Sequence, residues 1–159
     1  MEPILELLQE NSIYSTEDMA SMLGMDKDEV EDKIAHYKEE GILLGGHAII
    51  DYDKLENNHI VALIELKVNP QRGRGFDKIA ESIYRYPEVK SLYLMSSSGY
   101  DLLVTVEGNS MKEIAYFVAR KLAPIEDVVS TSTHFILKKY KSHGLVHRSI
   151  PVDERENCN

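Results

Sequence analysis

The sequence predicts an α+β protein with an N-terminal three-helix helix-turn-helix domain and a ferredoxin-like βαββαβ domain after it. Two observations carry this prediction. Residues 1–56 hold 15 acidic side chains against four lysines, a net charge of −11, whereas the remainder holds 12 acids and 14 bases, a net of +2. The charge balance thus changes near residue 56. Hydrophobic side chains recur at helical spacing before this position, and segments with strand spacing alternate with segments with helical spacing after it. We therefore predict a helix-turn-helix domain with its linker at 1–56, a ligand-binding and oligomerisation domain at 57–141 and a polar tail at 142–159.

Three short helices are predicted in the first domain. Pro3 suits the first position of the first helix, because its missing N–H group would have no partner there. Ser15 with Asp18 has the spacing of a weak capping box for the second helix, and Asp26 with Glu29 has that of a better one for the third. Hydrophobic residues at helical spacing in all three indicate a shared small core.

The turn between the second and third helices is short. Only residues 24–26 separate them, and a turn of this length containing glycine is typical of a helix-turn-helix motif. Gly41 ends the third helix, and residues 42–50 are predicted to form an extended linker or a small wing. Any three-helix bundle can show this pattern, so the motif alone does not establish DNA binding.

The second domain follows the order strand, helix, strand, strand, helix, strand. Apolar residues alternate along the strands and recur at helical spacing along the helices, so one sheet face is covered by both helices. This order predicts an antiparallel sheet of the split βαβ type. The predicted strands are 60–68, 89–95, 101–107 and 128–137, and the predicted helices run from Phe76 to Tyr84 and from Ser110 to Leu122.

The uncovered face of that sheet is also apolar. Leu63, Leu103 and Ile136 are predicted to point away from the helices. Because these side chains are too apolar to be left in water, we predict face-to-face dimerisation.

Several classes of protein are disfavoured. The sequence has no run of about 18 or more hydrophobic residues and begins with no signal peptide, so we expect a cytoplasmic protein without a membrane partner. The single Cys158 excludes an intrachain disulfide and a multi-cysteine zinc site. His143 and His147 are four residues apart, but no third ligand is near, so no metal site is expected. No nucleophile stands beside a base in the sequence, and we predict no catalytic residues, no cofactor and no enzyme.

Short motifs in both domains resemble those of one family over about residues 2–141. The N-terminal motifs are 4–8, Met19–Ala20, Leu23–Gly24, 30–34 and 39–43 with Gly46, and the C-terminal motifs are 87–89, 99–103 and 131–133. They resemble the Lrp/AsnC family of feast/famine transcription regulators. The resemblance implies dimers, often assembled into octamers, which bind amino acids or similar metabolites between effector domains and DNA through the third helix. Ser98–Gly99 replaces the family's usual Gly-Asp, so the glycine is shifted by one position.

The loop after the predicted strand 89–95 is the candidate effector site. Serine hydroxyls and turn amides can hold a carboxylate, and Asp101 can accept from an ammonium, so the loop suits a free amino acid. A solvated hairpin in which Asp101 binds only turn amides is the alternative, and the family resemblance favours the ligand. The candidate residues are Ser96, Ser97, Ser98, Gly99, Tyr100 and Asp101, with Thr131 and Thr133 at matching family positions.

The predicted DNA-contacting helix is acidic. Residues 26–40 hold seven acids and three lysines, whereas phosphate contacts require positive charge. Lys27 and Lys33 are the candidate DNA-binding residues. We therefore keep two hypotheses: an amino-acid- or metabolite-responsive transcriptional regulator that binds DNA as an oligomer, weakly but site-specifically, and a metabolite-binding oligomeric module whose acidic helix-turn-helix no longer binds DNA.

Overall fold

The computed structural model describes residues 2–70 and 75–147, and the chain divides into two compact units between Ile50 and Asp51. The first unit is helical and the second combines helices with an antiparallel sheet. The predicted α+β class is thus confirmed. The domain limits at 56 and 141 remain predictions, and Cys158 with the rest of the tail from 148 onward lies outside the described residues.

The first unit consists of α1 (Pro3–Glu10), α2 (Thr16–Leu23) and α3 (Lys27–Glu39). After α3, residues 43–50 contain no helix or strand, so this stretch forms a linker and no wing. The small core of the unit is formed by the buried side chains of Ile4, Met19, Ala20, Val30 and Tyr37.

The capping boxes differ from the prediction. Ser15 and Asp18 form a complete box: the Ser15 hydroxyl accepts from the Asp18 N–H group and the Asp18 carboxylate accepts from the Ser15 N–H group, each at 3.1 Å. Asp26 makes no side-chain cap for α3. Because residues 26–29 are all exposed, water can satisfy the first amides of α3, and the predicted ranking of the two boxes was wrong.

The second unit begins with a short 3-10 turn, Tyr52–Lys54, and then has the predicted order of strands and helices. A two-residue turn, His143–Gly144, with positive φ at both positions, closes a small hairpin inside the stretch predicted as a polar tail. The elements are β1 (Ile60–Val68), α4 (Gly75–Tyr84), β2 (Val89–Leu94), β3 (Leu102–Gly108), α5 (Met111–Phe117) with a π-helical turn (Val118–Leu122), β4 (Val128–Phe135), β5 (Lys141–Ser142) and β6 (Leu145–Val146).

The sheet has the antiparallel order β2-β3-β1-β4. Its covered face packs the inward side chains of β1 and β3, such as Ile64 and Val104, against Ile79, Ile83 and Ile114 of the helices. This arrangement is the predicted two-layer fold.

The opposite face carries the three apolar side chains expected there. Leu63 and Leu103 alternate with the inward residues of β1 and β3, and Ile136 follows the last residue of β4 and donates its N–H group to the Val61 carbonyl at 2.9 Å. Each of the three is half-buried within the chain. The face is mixed, however, because Leu63 lies opposite His134 and Leu103 lies opposite Glu65.

Candidate effector loop and DNA-contact surface

Asp101 holds the loop between β2 and β3 against the end of β1. Its carboxylate oxygen Oδ2 accepts from the Val68 N–H group at 2.9 Å, and the Lys67 ammonium lies 3.2 Å from both oxygens. Its own N–H group donates to the Leu66 carbonyl at 2.9 Å. The hydrogen bond from Val68 and the Lys67 charge together lower the pKa of the Asp101 carboxyl below its ordinary value, against an opposing effect of burial.

The amide that Asp101 binds belongs to β1 and not to the turn. The sequence suggested that Asp101 binds either the ammonium of an effector or only the amides of its own turn. The structure differs from both, because the carboxylate already has an ammonium partner within the chain, Lys67. An effector ammonium would therefore share Asp101 with Lys67 or displace it.

The serines of the loop are exposed and only partly engaged. Ser97 Oγ accepts from the Gly99 N–H group at 3.2 Å. Within the described residues, the hydroxyls of Ser96 and Ser98 have no hydrogen-bond partner from the protein. Two hydroxyls are thus available to a carboxylate or another polar ligand group.

Thr131 and Thr133 lie on the other side of the sheet from the Asp101 carboxylate. They pair with Leu66 and Ile64 of β1 and so share the helix-covered face, because directly opposite residues in an antiparallel pair point the same way. Lys67, which binds Asp101, points to the uncovered face. Thr131 is in register with Leu102 across β1, about 10 Å away for two strand spacings. Thr131 lies near the loop end of the sheet, but Thr133 pairs with Ile64 in the middle of β1, so the eight predicted site residues do not converge on one pocket.

A groove beside the loop had no signal in the sequence. It has a volume of about 360 Å³ and lies between α4 and β2, where Phe76, Tyr84 and Leu92 line it. Leu94 and Leu102, which flank the loop in sequence, line its near end. The groove is formed by side chains of separate elements, and two of its apolar residues, Tyr84 and Leu94, are exposed.

The two predicted DNA-binding lysines already have acidic partners. Lys27 forms ion pairs with Glu17 and, at 3.6 Å, with Glu31, and Lys33 lies 3.6 Å from Glu29. The hydrogen bond to Glu17 raises the pKa of Lys27 above its ordinary value. All of these side chains are more than a third exposed, so salt screens the pairs and phosphates compete with the acids for the lysines.

A serine, a histidine and an aspartate are also brought together, which the sequence did not indicate. His147 Nε2 lies 2.6 Å from the Ser142 hydroxyl, and His147 Nδ1 lies 3.5 Å from an Asp51 oxygen. Burial raises the pKa of Asp51, but hydrogen bonds from His147 and Lys54 outweigh it and the pKa is lowered. The adjoining cleft holds about 30 Å³, roughly one water molecule, which leaves no room for a substrate. These contacts tie the β5–β6 hairpin to the start of the unit.

Comparison with known proteins identifies the family. Residues 61–146 match the family model described as the Lrp/AsnC ligand binding domain. The chain belongs to the Lrp/AsnC family. It is 46% identical over 153 residues to the uncharacterized HTH-type transcriptional regulator YugG of Bacillus subtilis (strain 168), and the match covers 96% of this chain and 92% of that relative.

Solved structures of Lrp/AsnC proteins have the same fold. The transcriptional regulator NMB0573 of Neisseria meningitidis, solved as a complex with L-Met, superposes with a TM-score of 0.70 at 20% identity over 88% of this chain and 89% of that one. Escherichia coli AsnC gives a TM-score of 0.64 at 18% identity over 93% of both chains. These likenesses confirm the fold, a helix-turn-helix with a ferredoxin-like domain.

The chain is a transcriptional regulator of the Lrp/AsnC type with a ligand-binding domain, and it is not an enzyme. Within residues 2–70 and 75–147, no helix combines the length and the apolar composition that crossing a membrane requires. The same ranges contain no cluster of three or more His, Cys, Asp or Glu side chains placed to bind a metal ion.

Proposed function

We propose that this Lrp/AsnC protein is a cytoplasmic regulator that binds a free amino acid and, as an oligomer, specific DNA sites. The observation that carries the proposal is the β2–β3 loop, where an ionised carboxylate lies close in sequence to two unpartnered hydroxyls. A zwitterion needs an anionic acceptor for its ammonium and neutral donors for its carboxylate, and this loop supplies both.

The neighbouring groove supports an amino acid with an apolar side chain. Leu94 and Leu102 continue from the loop into a space of about 360 Å³, and most of the residues that line this space are apolar. An apolar side chain buried there would gain hydrophobic stabilisation while the ligand's carboxylate stays at the serine hydroxyls of the loop. Because the groove lies on the helix-covered face and Asp101 on the other, the ammonium would reach Asp101 around the end of the β2–β3 pair. Thr131 and Thr133 then act by shaping the covered face instead of touching the ammonium.

Self-association of the second unit follows from its surface. The uncovered face presents Leu63, Leu103 and Ile136, and Tyr93 beside Leu103 is 55% exposed. A second copy covering this face would remove that apolar area from water, which supports the dimer and larger assemblies proposed here.

A thermal shift screen of the full chain against the twenty amino acids tests the effector site. Binding to the native state alone raises the apparent stability. We expect one or a few apolar amino acids to raise the melting temperature, and the Ser96→Ala, Ser98→Ala double variant to reduce that rise. Ser21→Ala, an exposed serine of α2, is the matched control. An equal rise in all three proteins would move the effector away from this loop.

The second hypothesis, a module that no longer binds DNA, is favoured by one observation. Both candidate lysines of α3 are paired with acids of the same unit. Fluorescence anisotropy of the full-length protein on its own upstream region and on random duplex at two salt concentrations separates the hypotheses. Preference for the upstream region that weakens with salt supports the regulator, and absence of binding to any genomic fragment supports the module.

A further inference from the structure

A separate cavity lies at the other end of the β2–β3 pair from the effector loop. It has a volume of about 180 Å³. Val106, Ile114 and Phe117 form its apolar wall, and they belong to the buried core between β3 and α5. The charged residues that line it are Glu88, Glu107, Glu113, Arg120 and Lys121.

Four of these five charged groups already have partners. Glu107 lies 3.3 Å from His59 Nε2, and Glu113 Oε2 accepts from the Asn109 N–H group at 2.7 Å. The two cations lie over aromatic rings, Arg120 at 5.1 Å from the centre of Tyr116 and Lys121 at 5.6 Å from that of Tyr86.

Glu88 is the exception. Its Oε2 atom is shielded from solvent and has no hydrogen-bond partner among the residues that the structure describes. A buried carboxylate oxygen without a donor is costly, because it has lost water and gained nothing in return. Glu88 is also one of the residues that line the cavity, so a rotation of its side chain would bring the carboxylate to a hydrogen-bond donor bound there and remove the cost.

The backbone beside the cavity is also unusual. Helix α5 ends in a π-helical turn, in which the Ala123 N–H group donates to the Val118 carbonyl at 2.8 Å. Arg120 and Lys121 both lie within this turn, and π-helical turns frequently occur at functional sites. At the far edge, Gly108 allows β3 and α5 to approach closely, because a Cβ atom there would lie 3.1 Å from Ile114 Cγ1.

We infer that this cavity binds a primary ammonium group carried on an apolar body, with the ammonium donating to the Glu88 carboxylate after that side chain rotates toward the cavity. Its volume corresponds to roughly six water molecules, enough for a branched chain of about six heavy atoms. The ligand is either a free amine or the ammonium end of an amino acid, whose carboxylate would meet Arg120 and Lys121 at the rim. This site is distinct from the effector loop and does not rest on the function proposed for it.

Isothermal titration calorimetry on the full-length protein tests the inference with three probes. The three probes have similar apolar bodies and differ in their charged groups. 3-Methylbutylammonium carries only an ammonium, leucine carries an ammonium and a carboxylate, and 4-methylpentanoate carries only a carboxylate. We expect saturable binding of 3-methylbutylammonium at millimolar concentration and none of 4-methylpentanoate. If leucine also binds at this cavity, the natural ligand is an amino acid. If only 3-methylbutylammonium binds, the natural ligand is a free amine. Binding of the carboxylate alone would overturn the inference.

Glu88→Gln and Glu113→Gln form a matched pair of variants. Each removes one carboxylate charge from the cavity, but only Glu88 has a buried oxygen without a hydrogen-bond partner among the described residues. We expect Glu88→Gln to weaken 3-methylbutylammonium binding about tenfold or more, as for loss of a charged hydrogen bond, and Glu113→Gln to weaken it much less. Equal affinity of the wild type and Glu88→Gln would overturn the proposal.

Hydrogen exchange on the wild type provides a test that needs no variant. Addition of 3-methylbutylammonium should slow amide exchange in peptides that cover 86–90 and 111–122. Slowing confined to 95–101, or no slowing at saturating ligand, would exclude this cavity as the binding site.

Discussion

Lysine–carboxylate pairs occur in both units, but they differ in their surroundings. In the second unit, Asp101 is 19% exposed and binds an amide of β1 as well as Lys67. In the first unit, Lys27 and Lys33 pair with glutamates that are 50% or more exposed and bind no strand or loop. The same chemistry therefore fixes a loop in one place, whereas in the other it makes exposed pairs, one of them between α2 and α3, that solvent screens.

The largest effect is expected at Asp101. Asp101→Ala removes the acceptor of the Val68 N–H group and the partner of Lys67, so we expect the free energy of unfolding to fall by about 1–3 kcal/mol. Urea unfolding followed by circular dichroism measures it. A fall of the same size in Lys27→Ala would contradict the contrast between the two units.

Protonation should have a similar effect to that substitution. The folded-state pKa of Asp101 is lowered, so its contribution is complete above the unfolded pKa and is lost as pH falls through the folded value. The stability difference between the wild type and Asp101→Asn should therefore be constant near neutral pH and shrink below about pH 4. A difference that grows as the pH falls would show that Asp101 is not stabilised in its ionised form.

The sequence revealed the elements but not these contacts. Alternation along β1 and β3 and the helical spacing of Ile79 and Ile83 report burial, so the order of strands and helices was predictable. The Asp101–Val68 hydrogen bond and the His147–Asp51 contact join residues far apart in the chain, and local patterns carry no information about such pairs.

The same limit explains the other features that the sequence did not predict. The π-helical turn of α5 has ordinary helix-forming residues, and the unpartnered oxygen of Glu88 depends on the packing around it. The ranking of the two capping boxes was wrong, because both helix starts are exposed to solvent and only Ser15 with Asp18 forms the reciprocal hydrogen bonds.

A smaller effect is expected at Lys67, the lysine that pairs with Asp101. Lys67→Met retains the apolar stem but removes the ammonium, while the Val68 N–H group still binds Asp101. Since Lys67 is 41% exposed, its loss should cost less than Asp101→Ala, under about 1 kcal/mol. The same variant should strengthen effector binding if Lys67 competes with the ligand ammonium for Asp101. Thermal shift with and without the effector measures both, and weaker binding would mean that Lys67 supports the ligand.

The smallest effect on stability and the most informative effect on DNA binding are expected in α3. Glu29→Gln with Glu31→Gln removes the glutamate partner of Lys33 and one of the two partners of Lys27, which keeps Glu17. Because these pairs are exposed, the urea midpoint should not change measurably. Glu39→Gln with Glu40→Gln makes the same change in net charge at the end of α3, where neither glutamate pairs with these lysines.

If the lysines contact phosphates, random-duplex binding should increase more in the first variant than in the second. A plot of the logarithm of the DNA association constant against the logarithm of the salt concentration should have a slope steeper by about 0.9 for each additional phosphate that the protein contacts. Equal increases would mean that only net charge matters, and no increase in either would favour a helix-turn-helix that has lost its DNA contacts.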